Sequence, residues 1–137
     1  MLFAIAMLAA GAAEPVMRLS PKQVREEVRT VVQGQLAALR AGDFATAYGY
    51  AAAGLKARFD DQVFAAMIRR GYPLLLQAKE AELGVVHDRD GELAEVTVSV
   101  RDRQKHPVVY RYVLVHEPEG WRITAVTLEQ RPARGDI

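Results

Sequence analysis

Tyr110, Tyr112, Leu114 and His116 recur at every second position of one apolar-rich segment, so an extended backbone places all four on one face. An imidazole beside a phenol can relay a proton near neutral pH, and two tyrosines can hold a flat or oxygenated molecule. His116 with Tyr112 or Tyr110 is therefore the strongest acid–base candidate in the chain. The structural reading of the same residues is favoured over it: tyrosines that pack a sheet with their hydroxyls at its rim, and a histidine turned to water beside Glu117-Pro118. His87 and His106 also abut turns, and no two histidines share an i, i+4 spacing, so neither a metal site nor a cofactor is implied. Asp43, Asp60, Asp61, Asp88, Asp90 and Asp102 sit where helix caps and turns are expected, which accounts for each without catalysis. In the helical half, Tyr48, Tyr50, Phe64 and Tyr72 read as packing around a cavity mouth. Tyr48 and Tyr72 join Tyr110 and Tyr112 as the expected ligand contacts.

The elements that must position these groups fall into two halves. Ser20-Pro21-Lys22-Gln23 has the form of a helix start, with a hydroxyl at the cap, proline at the first helical position and glutamine three residues after the cap. Val24, Val28, Val31, Val32, Leu36 and Leu39 follow at helical spacing and predict a buried stripe, with Arg25, Glu26, Arg29, Gln33 and Arg40 on the wet side. Ala41-Gly42 stops this helix, and Asp43 caps a second one through Ala51. Ala53 to Asp61 reads as a loop. Asp60 or Asp61 then caps a third helix, with Val63, Phe64, Met67 and Ile68 on one side, which ends at Gly71-Tyr72-Pro73.

Beyond Leu74 the apolar period shifts toward two. Leu83 and Val85 predict a first strand, although Gln77 to Glu82 suits a helix equally well on propensity; Asp88-Arg89-Asp90-Gly91 predicts a hairpin turn, and Leu93–Arg101, Val108–His116 and Trp121–Glu129 three further strands. In the last strand Trp121, Ile123 and Ala125 alternate out of phase with Val126 and Leu128. A β-bulge near Thr124 to Val126 brings the large apolar groups back to one side and bends the sheet.

The whole-chain quantities fit one domain. The chain has 137 residues, half of them hydrophobic, with a formal charge of +1 from 18 basic and 17 acidic side chains interspersed along it. That is enough apolar material for one core and offers no basic surface for nucleic acid. Cysteine is absent, which excludes disulfides, thiolate metal sites and a cysteine nucleophile. Leu2 to Ala13 is an uncharged apolar run ending in small residues before Glu14-Pro15, the pattern of a cleaved signal peptide over residues 1–13 and too short to span a bilayer; no Lys or Arg precedes it, and the structural alternative is an N-terminal helix packed on the domain. The expected layout is that peptide, a domain over 14–130 and a frayed tail over 131–137, with the mature protein periplasmic or secreted and without a stable membrane anchor.

Ser20-Pro21, the run from Ala37 through Gly42-Asp43-Phe44 and Tyr48 to Ala51, Met67 to Pro73, and Gly120-Trp121-Arg122-Ile123 together resemble the bacterial DUF4864 family, which is similar to NTF2-like (cystatin-like α+β) proteins. The resemblance implies N-terminal helices packed on a curved antiparallel sheet of about four strands, with a cone-shaped space between them. It brings no activity. The expected function is an exported, non-enzymatic domain that binds a small apolar ligand or a protein partner, with homodimerisation through the outer sheet face as a further expectation. The alternative is a small isomerase- or dehydratase-like pocket enzyme using His116 with Tyr112 or Tyr110.

Overall fold

The computed structural model of the chain describes residues 16–130, so the signal peptide and the C-terminal tail expected from the sequence lie outside the described residues. The long first helix, α1, covers Lys22–Arg40. Val28, Val32, Leu36 and Leu39 are buried on it as the apolar spacing requires, and Gln35 is buried with them. Gly42, at a φ of 74°, turns the chain, and Asp43 caps α2 (Phe44–Gly49) by accepting from Thr46 N at 3.1 Å. Helix α2 is shorter than the sequence predicts because Ala51 leaves it to pair with the sheet.

Two helical segments depart from the expectation. Ala53–Arg58 forms a short helix, α3, in place of a loop. It has no side-chain N-cap; the Tyr48 hydroxyl donates to Phe59 O at 2.6 Å just beyond its end. Helix α4 (Asp61–Gly71) is capped by Asp60, and Pro73 opens a further turn, α5 (Pro73–Gln77), where the shift in apolar period suggests extended chain. On α4, Phe64, Ala65 and Ile68 are buried while Val63 is exposed.

Six antiparallel strands make the sheet: β1 (Arg18–Leu19), β2 (Glu82–Leu83), β3 (His87–Arg89), β4 (Leu93–Arg101), β5 (Pro107–Glu117) and β6 (Gly120–Gln130). Spatial order is β1-β3-β4-β5-β6, and β2 pairs with the end of β4 beyond β3. The two strands beyond the expected four are β1 and β3: Leu83 lies in β2, the short form of the expected first strand, whereas His87–Arg89 pairs as a strand where the turn is expected to begin. Val85, expected inside the first strand, is exposed in the link between β2 and β3, and Val86 is buried instead. Asp90 and Gly91 both take positive φ, 57° and 71°, in the tight β3–β4 turn.

One face of the sheet is dry. Ala94, Val96, Val98 and Val100 on β4, Val108, Tyr110, Tyr112 and Leu114 on β5, and Trp121 and Ile123 on β6 pack against α1, α4 and α5 in a single core. The opposite face carries Arg111, paired with Glu95 at 2.9 Å and Glu129 at 2.8 Å; hydrogen bonding to Glu129 and the charges of both carboxylates hold its guanidinium firmly protonated.

The expected bulge is present at Thr124. Val113 faces Ala125 while Leu114 faces Ile123, so Thr124 is the extra residue. The slip puts Ile123, Val126 and Leu128 opposite Leu114, Tyr112 and Tyr110, on the same side as Trp121. The outer edge of β6 is closed at the bulge by the α2–α3 link. Ile123 N donates to Tyr50 O and Ala52 N to Ile123 O, both at 2.8 Å.

Ser20 and Asp88 do work that differs from what their positions in the sequence suggest. Pro21 is the cap residue of α1, and the Ser20 hydroxyl donates to Asp88 Oδ1 at 2.5 Å. Asp88 is fully buried in β3, where its Oδ2 also accepts from Arg18 Nη2 at 3.1 Å and from Gly91 N at 2.7 Å. Burial alone would raise its pKa, but the Ser20 hydroxyl, the Gly91 N–H and Arg18 outweigh it and hold the carboxyl below its ordinary value.

Candidate functional site

Between α4 and the bulged part of β6 is a cavity of about 470 Å³. Its floor is the strand from Ile123 to Val126, and Phe64, Met67 and Ile68 face it from α4 at helical spacing. Leu55, Arg58 and Phe59 close the side formed by α3 and the residue after it. The wall is mainly apolar, and Arg58 is its single charged residue among the described residues. A pocket of this composition holds a ligand by burial and orients it by its few polar groups.

Gln35 is one of those groups. It lies on α1 at the position between Val32 and Leu39 that the helical period assigns to the buried face, is 4% exposed and borders the cavity. Its Oε1 accepts from the Tyr112 hydroxyl at 2.9 Å, a contact across 77 positions of sequence. Burial, with the neighbouring phenols of Tyr110 and Tyr72, raises the Tyr112 pKa far above its ordinary value. Tyr112 is thus a neutral hydrogen-bond donor to Gln35 and does not ionise near neutral pH. Because a buried phenol needs an acceptor, Oε1 faces Tyr112, and the amide Nε2 has no partner among the described residues.

The expected contact residues separate. Tyr72 borders the cavity, and its hydroxyl donates to Val126 O at 2.7 Å, tying the end of α4 to the strand beyond the bulge. Tyr112 reaches the cavity through Gln35. Tyr110 lies behind Tyr72, their rings 5.9 Å apart, and is part of the core. Tyr48 packs on Phe64 at 5.5 Å and holds the backbone at Phe59, so it supports the wall without bordering the space.

His116 is not assembled with either tyrosine. It is exposed at the far end of β5, stacked on Trp121 with ring centroids 4.8 Å apart, whereas Tyr112 is 0% exposed. They share a face, as alternation requires, but α1 seals the inner residue and leaves the outer one in water. The Trp121 indole N–H, also enclosed, has no hydrogen-bond partner among the described residues.

Gln35 and the α3 wall are absent from the sequence-based site. The signal for Gln35 was a polar residue falling on an otherwise apolar helical stripe, which marks a buried polar group needing a partner.

A helical layer over a bulged antiparallel sheet with a cavity beside the bulge defines an α+β fold. In agreement with that geometry, the fold is similar to the crystal structure of a proposed dehydratase of the NTF2-like family from Streptomyces avermitilis. The TM-score is 0.52 at 18% sequence identity, covering 78% of this chain and 95% of that one. Residues 21–135 match the family described as Domain of unknown function (DUF4864), and the chain belongs to that family. No curated protein matches it.

Proposed function

We propose that this protein binds a small, mainly apolar molecule in the cavity between α4 and β6 and does not turn it over. The observation that carries this reading is the composition of the wall: mainly aliphatic and aromatic side chains with the Thr124 and Tyr72 hydroxyls, a buried amide and a marginal cation, and no acid–base pair. Proton transfer in an isomerase or dehydratase needs a group that changes protonation within reach of the ligand. Tyr112 is held protonated, Gln35 does not titrate, and His116 stands at the other end of β5. The dehydratase description thus stays with the Streptomyces protein. The apolar run Leu2 to Ala13 supports export, with the binding domain acting in the periplasm or outside the cell.

The test is a fluorescence titration with the neutral apolar probe N-phenyl-1-naphthylamine, repeated on Met67→Glu, which sets a carboxylate against the cavity. Saturable enhancement in the wild type and its loss in the folded variant are expected. A wild type that leaves the probe in water, or a variant that binds it equally well, would sink the proposal.

A further inference from the structure

We infer that the natural ligand is an anion: an apolar molecule carrying a carboxylate, whose charged end sits at Arg58 and whose body lies along α4 and β6, where Gln35 donates to a second oxygen. This rests on the cavity being the binding site, and it follows from what its polar groups offer. Apart from the Thr124 and Tyr72 hydroxyls, which can donate or accept, the polar side-chain groups on the wall with capacity to spare are donors only. Gln35 Oε1 is occupied by Tyr112, and the opposite end of the amide is an N–H₂ with no acceptor among the described residues. It is not sealed in the packing, since the enclosed side-chain polar atom left without a partner there is Trp121 Nε1. An unpaired donor on a residue only 4% exposed, on an otherwise apolar wall, is satisfied by an acceptor that arrives with the ligand.

Arg58 is the second donor. It is exposed at the C-terminal end of α3, its guanidinium lies 5.2 Å from the Phe59 ring, and it makes no ion pair among the described residues. Stacking on Phe59, itself part of the wall, holds the planar fork beside the apolar space. A guanidinium with no carboxylate competing for it, at the edge of such a space, pairs bidentately with a ligand carboxylate. No Asp or Glu borders the cavity to repel one. A cationic or polyhydroxylated ligand would find no complementary charge and too few acceptors.

The experiment is a calorimetric comparison of octanoate with octan-1-ol, which share an apolar body and differ in charge, on the wild type and on Arg58→Gln, a surface change that leaves the core untouched. The wild type is expected to bind octanoate about tenfold more tightly than the alcohol, with the preference shrinking at high salt. Arg58→Gln should abolish the preference, bringing octanoate affinity down to that of octan-1-ol on the same variant, and Arg58→Lys should restore part of it. Equal binding of the two by the wild type, or a preference that survives Arg58→Gln, overturns the anion assignment while leaving the apolar site standing. If N-phenyl-1-naphthylamine also fails to bind, the site itself is wrong.

Discussion

At the scale of single residues, two buried polar groups decide more than the exposed charges do. Removing the hydroxyl in Tyr112→Phe leaves Gln35 Oε1 buried without its donor, and Gln35→Leu strands the phenol in the same way. Each is expected to lower unfolding free energy by about 1–3 kcal/mol, and the double variant by less than the sum, because no polar atom is then left unpaired. Additive losses in a denaturation cycle would show that the two groups do not depend on each other. Asp88 makes a pH prediction. Its native pKa is depressed, so its contribution is present above the unfolded carboxyl's value of about 4 and is lost as pH falls through and below it. Asp88→Asn should therefore cost stability at pH 7 and flatten the acid limb of the stability curve below pH 4. An acid limb identical to that of the wild type would show that Asp88 contributes nothing to it.

At the scale of elements, α1 is the brace on which the cavity stands. Leu36 is 4% exposed in the centre of its stripe, and Leu36→Ala should cost about 2–5 kcal/mol through lost burial and the hole left behind, read as a shift in denaturation midpoint. Gly34, on the same helix, opposes two effects. Alanine is intrinsically better in a helix by about 1 kcal/mol, but a Cβ at this position would run into the hydroxyl and ring of Tyr50. Tyr50 is partly buried against the core, so its ring can move only by displacing packed neighbours. Gly34→Ala is expected to destabilise by about 1–3 kcal/mol in spite of the propensity gain, and a higher melting temperature would contradict that.

At the scale of the whole molecule, export and binding make separable predictions. Protein recovered from its native cell should start close to Ala13 or Glu14 by N-terminal sequencing, and recovery of intact Met1 in the cytosol would contradict export. The sequence by itself determined the helical stripe, the three long strands, the cap at Asp43, a cap at Asp60 or Asp61 and a bulge near Thr124 to Val126, since each is set by contacts within a few residues or by a repeating period. Tertiary structure alone decided the rest. The α3 segment reads as a loop because its stabilising contact, the Tyr48 hydroxyl on Phe59 O, comes from outside it. Asp88 reads as a turn residue because Arg18 and Ser20, which bury it, arrive from the other end of the chain. Tyr112 and His116 read as partners because alternation fixes a shared face and says nothing of what covers it. Gln35 and Arg58 become parts of one site only when α1, α3 and β6 meet, and no local pattern encodes a meeting of segments so far apart in sequence.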